Sequence, residues 1–176
     1  MNDLIYNQRD IPKDKWRYGL RSSAATGCGW IATYNALRLL GYKVDPEKLI
    51  TYYESCFPII NGNFGTFISS PVRFFKSKGF KVRTCAKLQS FDEIARESDV
   101  CIMFFFWHSK RRFGAHYVTV QYSNGKFYGY NTFSDSDSAD NYGESLEKFV
   151  RRRKYFMPML IGIRKPTQAC CPESQH

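Results

Sequence analysis

The sequence has no apolar run that could cross a bilayer: the longest, CIMFFFW at 101–107, falls far short of the ~20 residues a spanning helix needs. Its opening, MNDLIYNQRD, is polar and lacks the apolar centre of a secretory signal. The six cysteines, at 28, 56, 85, 101, 170 and 171, include no C-x-x-C pair and no histidine at zinc-ligand spacing. Only three histidines are present, and acidic residues are scarce, 16 against 26 Lys and Arg. No internal repeat or low-complexity tract appears. These absences argue against a membrane-spanning protein, a zinc site and a disulfide framework. The expectation is a cytoplasmic chain with reduced thiols and no cofactor or metal.

What is present fits a globular domain. The chain has 176 residues, 43% hydrophobic and 17% aromatic, with fifteen Phe and twelve Tyr. That is enough apolar material for a sizeable core. A single domain is expected over 1–166, with a flexible tail at 167–176. The net charge of +10 suits an anionic partner. The basic runs, Lys110-Arg111-Arg112 and Arg151-Arg152-Arg153-Lys154, are not interleaved with aromatics in a nucleic-acid signature, so they read as solvated turn and helix-end charge. No nucleic-acid partner is expected, and the oligomeric state stays open.

Along the chain, residues 1–27 read as an irregular lead-in. Apolar residues from Cys28 recur at helical spacing and stop at Gly41. DPEKLITYYESCF gives a second helix, capped by Asp45 with Pro46 in its first turn. PIINGNFGT reads as loop, and SPVRFFKSKG as a third helix. FKVRTC is a strand candidate. SFDEIARES carries a capping box, Ser90 with Glu93. VCIMFFFW is a buried strand. AHYVTVQY and KFYGYNTF are two strands joined at Asn124-Gly125, a strong hairpin signal. ESLEKFVRRRK is a late helix and FMPMLIGI a last strand. Helices first and an antiparallel sheet after make the class α+β.

Cys28 lies between Gly27 and Gly29, where a helix begins. Unpaired N–H groups and the helix dipole there favour an anion, which would lower the thiol pKa from about 8.5 toward about 3.5–7.5. The flanking glycines would let a substrate carbonyl approach the Cys28 N–H. A buried structural cysteine at a tight turn is the plainer alternative. A nucleophilic thiol needs a base. His176 is in the tail and His108 in a basic turn. His116 opens a strand, on the face of Val118 and Val120. A core histidine satisfied by a hydrogen bond is the competing reading. Asn131, at the end of the next strand, falls across the hairpin from His116 and could orient it. Asp135 or Asp137 could serve instead.

The chain order Cys28, His116, Asn131 resembles the papain-like cysteine peptidases. The separations, 88 and 15 residues, resemble the compact bacterial branch typified by double-glycine leader peptidases that process bacteriocin precursors. The likeness rests on GCGWIATYNALRLLG, GNFGTFISSPVRFFKSKGF, GAHYVTVQY and YGYNTF, over roughly 20–135. It implies a papain-like fold, a helical half packed on an antiparallel sheet half. It also implies amide hydrolysis of a peptide or protein substrate, with Cys28 as nucleophile, His116 as general base and acid, and Asn131 as the orienting residue. The family usually has a glutamine six residues before the cysteine, as a side-chain oxyanion donor. Here that position is Ser22, with Ser23 and Thr26 as neighbouring candidates. The departure leaves a rival open: a papain-like fold that binds a peptide or glycan without cutting it. Acyl transfer uses the same thiol chemistry.

Overall fold

The fold is described for residues 4–56, 66–110 and 112–166 in a computed structural model. The expected tail at 167–176 lies outside these residues, as does most of the PIINGNFGT loop.

A six-stranded antiparallel sheet organises the chain. Its strands are β3 (Lys81–Cys85), β4 (Val100–His108), β5 (Phe113–Ser123), β6 (Lys126–Tyr130), β7 (Asp140–Gly143) and β8 (Phe156–Arg164), in the order β3-β8-β4-β5-β6-β7. β4 is apolar from Val100 to Trp107 because both of its faces are covered there. Val100, Ile102 and Phe104 face one hydrophobic cluster with α2 (Cys28–Leu39), α3 (Pro46–Ser55) and α4 (Ser70–Ser77). Cys101, Met103 and Phe105 face a second cluster with α5 (Phe91–Glu97) and α6 (Leu146–Arg153). The helical half packs on one side of the sheet as the sequence suggests, and α5 and α6 add a third layer on the other.

Three expected helices form, though the cap expected of Ser69 or Ser70 on α4 is not made. α2 is buried along most of its length and is pinned to the sheet by Thr119, whose Oγ1 donates to the Ala32 carbonyl at 2.8 Å. The Asp45 side chain caps α3 by accepting from the Glu47 N–H, and Leu49, Ile50 and Tyr53 point inward. Gly41 (φ +89°) and Gly79 (φ +81°) supply the left-handed turns after α2 and α4, where a Cβ is disfavoured. The hairpin turns at Asn124 (φ 50°) and Gly125 (φ +79°), the two positive dihedrals a type I′ turn needs.

Two expectations are corrected, and one strand is found that the sequence reading did not address. The lead-in is not irregular: a 3₁₀ turn (Gln8–Asp10), a short ribbon of β1 (Arg17–Tyr18) and β2 (Arg21–Ser22), and the single turn α1 (Ser23–Thr26) all precede Cys28. The Ser90–Glu93 capping box is not made. Ser90 closes a 3₁₀ turn and offers no cap bond, while Glu93 pairs with Arg83 at 3.8 Å. The polar segment before α6 contains β7, which pairs with β6 through a register shift at Phe127/Tyr128.

Candidate functional site

Cys28 sits where α2 meets the edge of the sheet. The last rung shared by β5 and β6 is Thr119 against Tyr130, and β5 runs on past it with that edge free of β6. Here Cys28 is 8% exposed. Burial dominates its ionisation and pushes the thiol up to about 11, because a thiolate there loses its hydration. The backbone N–H groups of Tyr117, Gly29 and Cys28 itself point at the sulfur and oppose this in part. The expected acidified thiol is therefore overturned. α1 stands ahead of α2, and the desolvated sulfur outweighs the donors around it.

The flanking glycines also have a different reason. A Cβ on Gly27 would lie 2.6 Å from both the Ser23 carbonyl oxygen and Trp30 Nε1, and a Cβ on Gly29 would collide with the Thr66 side chain. They permit packing inside the protein rather than approach from outside. Thr66 is held against Gly29 by its own Oγ1, which donates to the Tyr18 hydroxyl at 3.1 Å, and by Tyr117, whose hydroxyl donates to the Thr66 carbonyl at 3.3 Å.

His116, on β5, is partly buried and packs edge-on against Phe105, with ring centroids 6.0 Å apart. Its Nε2 lies 2.6 Å from the main-chain oxygen of Asn131. A carbonyl only accepts, so the neutral ring carries its proton on Nε2 and leaves a lone pair on Nδ1. Burial lowers the imidazole pKa from its ordinary value, and the bond to Asn131 opposes that in part. Thiol and imidazole are both held neutral, and no hydrogen bond joins them.

Asn131 meets His116 through its main chain, not its carboxamide. The cross-strand pairing expected of the two residues is corrected by the register. With Thr119 opposite Tyr130, position 131 falls toward Val118, and β6 has already ended. Asn131 is 2% exposed and left-handed, φ +61°. Its side chain is engaged by Gln8: Oδ1 accepts the Gln8 backbone N–H at 2.9 Å, and Nδ2 donates to Gln8 Oε1 at 3.1 Å. Gln8 Nε2 in turn donates to the Ala24 carbonyl at 3.2 Å, one turn ahead of Cys28.

Cys28, His116, Asn131 and Gln8 all line one cleft of about 830 Å³. Phe105, Trp107, Phe133 and Tyr155 supply apolar wall, and Arg9, Arg153 and Lys154 bring positive charge. Asp135 also lines it, whereas Asp137 accepts from the Ser138 hydroxyl at 3.1 Å and is not part of the lining. Ser22 is not brought to the cleft. It lies in β2 opposite Arg17. Ser23 is fully buried, its Oγ accepting from Trp30 Nε1 at 3.0 Å, and Thr26 Oγ1 is buried without a hydrogen-bond partner. Among the described residues no group of three or more His, Cys, Asp or Glu could hold a metal ion, and no helix is long and apolar enough to cross a membrane. Cys28, Cys56, Cys85 and Cys101 are free thiols.

Sequence reasoning missed Gln8, although it is the one glutamine ahead of Cys28. It also missed the last basic run's part in the cleft. The run is the exposed end of α6, as expected, but Arg153, 4.4 Å over the Phe133 ring, and Lys154 also form part of the wall.

No family model matches the chain, and no curated protein does. Among solved structures it is similar to the peptidase domain of Streptococcus ComA, a bi-functional ABC transporter involved in a quorum-sensing pathway. The TM-score is 0.50 at 16% identity, over 78% of this chain and 90% of that one. The α+β arrangement, with helices packed on an antiparallel sheet, is the papain-like peptidase fold of that domain.

Proposed function

We propose that the chain is a thiol-dependent amide hydrolase of the cysteine-peptidase kind, acting on a peptide or protein substrate. The observation that carries the reading is the convergence on one cleft of Cys28 at the start of α2, His116 on β5 and Asn131 just past β6. In the reaction, His116 Nδ1 takes the thiol proton as the sulfur attacks the substrate carbonyl carbon. The C=O electron pair moves to oxygen. The imidazolium then gives its Nδ1 proton to the leaving amine as the C–N bond breaks, which leaves a thioester. Water, losing a proton to Nδ1, attacks the thioester, and the released sulfur recovers that proton. Asn131 holds the ring in the required tautomer. No step calls for a cofactor.

The developing oxyanion needs donors. Ser22 does not line the cleft, whereas the carboxamides of Asn7, Gln8 and Asn131 do, and Asn7 Nδ2 already donates to Asp10 and to the Ser134 carbonyl. Gln8 Nε2, with the Cys28 backbone N–H, is the donor set this reading assigns. The charge of the walls favours an acidic substrate segment: Arg9, Arg153 and Lys154 line the cleft against Asp135 alone.

One observation favours a second reading, a binding module that holds a peptide without cutting it. The thiol, pushed up to about 11, makes no hydrogen bond with His116. Incubation with a pool of acidic synthetic peptides, followed by mass spectrometry of new termini, separates the two. Hydrolysis by the wild type that falls by ~10⁴-fold or more in Cys28→Ala supports the enzyme. Binding by both proteins with cleavage by neither defeats it in favour of the module.

A further inference from the structure

The left-handed backbone of Asn131 needs a cause. An L-residue in that region costs about 1–2 kcal/mol, less for Asn, whose short polar side chain can bond locally, and Asn131 sits just past the last residue of β6. Had the strand continued, its carbonyl would have stayed in line with the sheet. The φ of +61° breaks the strand and turns the carbonyl onto His116 Nε2, 2.6 Å away. The carboxamide is then free to do something else, and both of its ends go to Gln8.

Gln8 is itself fixed on several sides. Its Nε2 holds the Ala24 carbonyl. Its neighbour Asn7 donates from Nδ2 to the Ser134 carbonyl at 2.8 Å and caps the 3₁₀ turn by accepting from the Arg9 N–H at 3.0 Å. Upstream, Asn35 of α2, fully buried, accepts from the Ile5 N–H at 2.9 Å and donates to the Ile5 carbonyl at 2.8 Å. One short segment is thus tied to α2, to the turn before Cys28, and to the loop that carries Asn131. These are the nucleophile side and the base side of the cleft.

The geometry points to Gln8 as a positioning residue. It braces Asn131 in its left-handed state, so that a main-chain carbonyl, not a side-chain amide, fixes the tautomer of His116. This rests on the reading of His116 as the base. Losing the correct tautomer of a catalytic histidine can cost ~10⁴-fold in rate. Because Gln8→Ala also removes the oxyanion donor assigned above, the tautomer of His116, not the rate, reads the brace.

The test reads the histidine directly. ¹⁵N NMR of the imidazoles, with the His116 signals assigned by their loss in His116→Gln, is expected to show a single Nε2–H tautomer in the wild type. In Gln8→Ala it should become a mixture, with the pH dependence of any hydrolysis displaced. Asn131→Gly and Asn131→Ala form the second arm. Glycine accepts a positive φ and keeps the carbonyl, whereas alanine resists it. Asn131→Gly should therefore retain more of the Nε2–H tautomer than Asn131→Ala. An unchanged tautomer in Gln8→Ala, or equal loss in the two Asn131 variants, overturns the brace. The NMR readout needs no turnover, so failure of the hydrolase reading and failure of the brace are told apart.

Discussion

The pH dependence of Cys28 alkylation is the sharpest consequence of the site's electrostatics. With the thiol pushed up to about 11, the thiolate is roughly 1 part in 10⁴ at pH 7, whereas an ordinary free thiol near 8.5 is about 3% ionised. Since only the thiolate attacks iodoacetamide, ionisation alone makes Cys28 roughly 300-fold slower than an ordinary thiol at neutral pH. Its rate should rise about tenfold for each pH unit between 6 and 9. The tryptic peptide spanning 22–38 contains Cys28 and no other cysteine. Timed quenching and mass spectrometry of that peptide therefore give the rate site by site. Cys56 and Cys85, both more exposed, serve as internal comparisons, and unfolding in urea should close the gap. A fast rate that is flat from pH 6 to 9, and that collapses in His116→Gln, would refute the reasoning. It would mean that the sulfur is already a thiolate paired with an imidazolium.

Two further predictions follow from packing and from burial. Gly29→Ala drives a Cβ into the Thr66 side chain, and overpacking of this kind costs about 1–3 kcal/mol, read as a lower midpoint in urea unfolding. Stability should also fall at both ends of the pH range. Cys101 is pushed up to about 12 and Cys28 to about 11 from 9.0, both by burial, so above pH 9 the unfolded chain releases protons that the folded one keeps, and stability drops as pH rises toward 11–12. The limit for Cys101 is about 4 kcal/mol, and Cys101→Ala should flatten the alkaline slope. His116 is shifted down from 6.5 by burial, so the unfolded chain binds the extra proton first. Stability is full above pH 6.5 and lost as pH falls through the folded value, and His116→Gln should flatten that acid limb in pH-resolved urea titrations.

The sequence made the fold legible where one signal controlled one element. The unbroken apolar run at 100–107 meant a strand covered on both faces. Asn124-Gly125 meant a hairpin, and Asp45-Pro46 a helix start. Where polar residues formed strands, no periodicity announced them. β7, within Asp140–Gly143, pairs only because β6 offers an edge, and β1 with β2 closes a two-residue ribbon. The proposed site was legible in the same uneven way. Cys28, His116 and Asn131 could be named because residue type and chain order carry that signal. Their chemistry could not be read, because it depends on solvent. A helix start promises a stabilised anion only if the N–H groups are not outweighed by desolvation, and the burial of Cys28 is a product of tertiary packing. Gln8 was hidden for a related reason. A brace made of one turn and the three hydrogen bonds of Gln8 leaves no pattern in the sequence, only a lone glutamine in a polar stretch.

The two neutral partners also set the order of events in the proposed reaction. Transfer of the thiol proton to His116 before attack must bridge the gap between a thiol near 11 and an imidazole below 6.5. Burial disfavours the charged form of both groups, so the transfer is uphill and the attraction within the resulting ion pair returns only part of the cost. The resting site is thiol and imidazole. The proton then moves as the carbon–sulfur bond forms, when charge passes on to the carbonyl oxygen and the Gln8 and Cys28 donors can stabilise it. A site built this way does not hold a reactive anion at rest. Its nucleophile comes into being only against a bound carbonyl, which places the burden of catalysis on how firmly Gln8 and Asn131 hold the base.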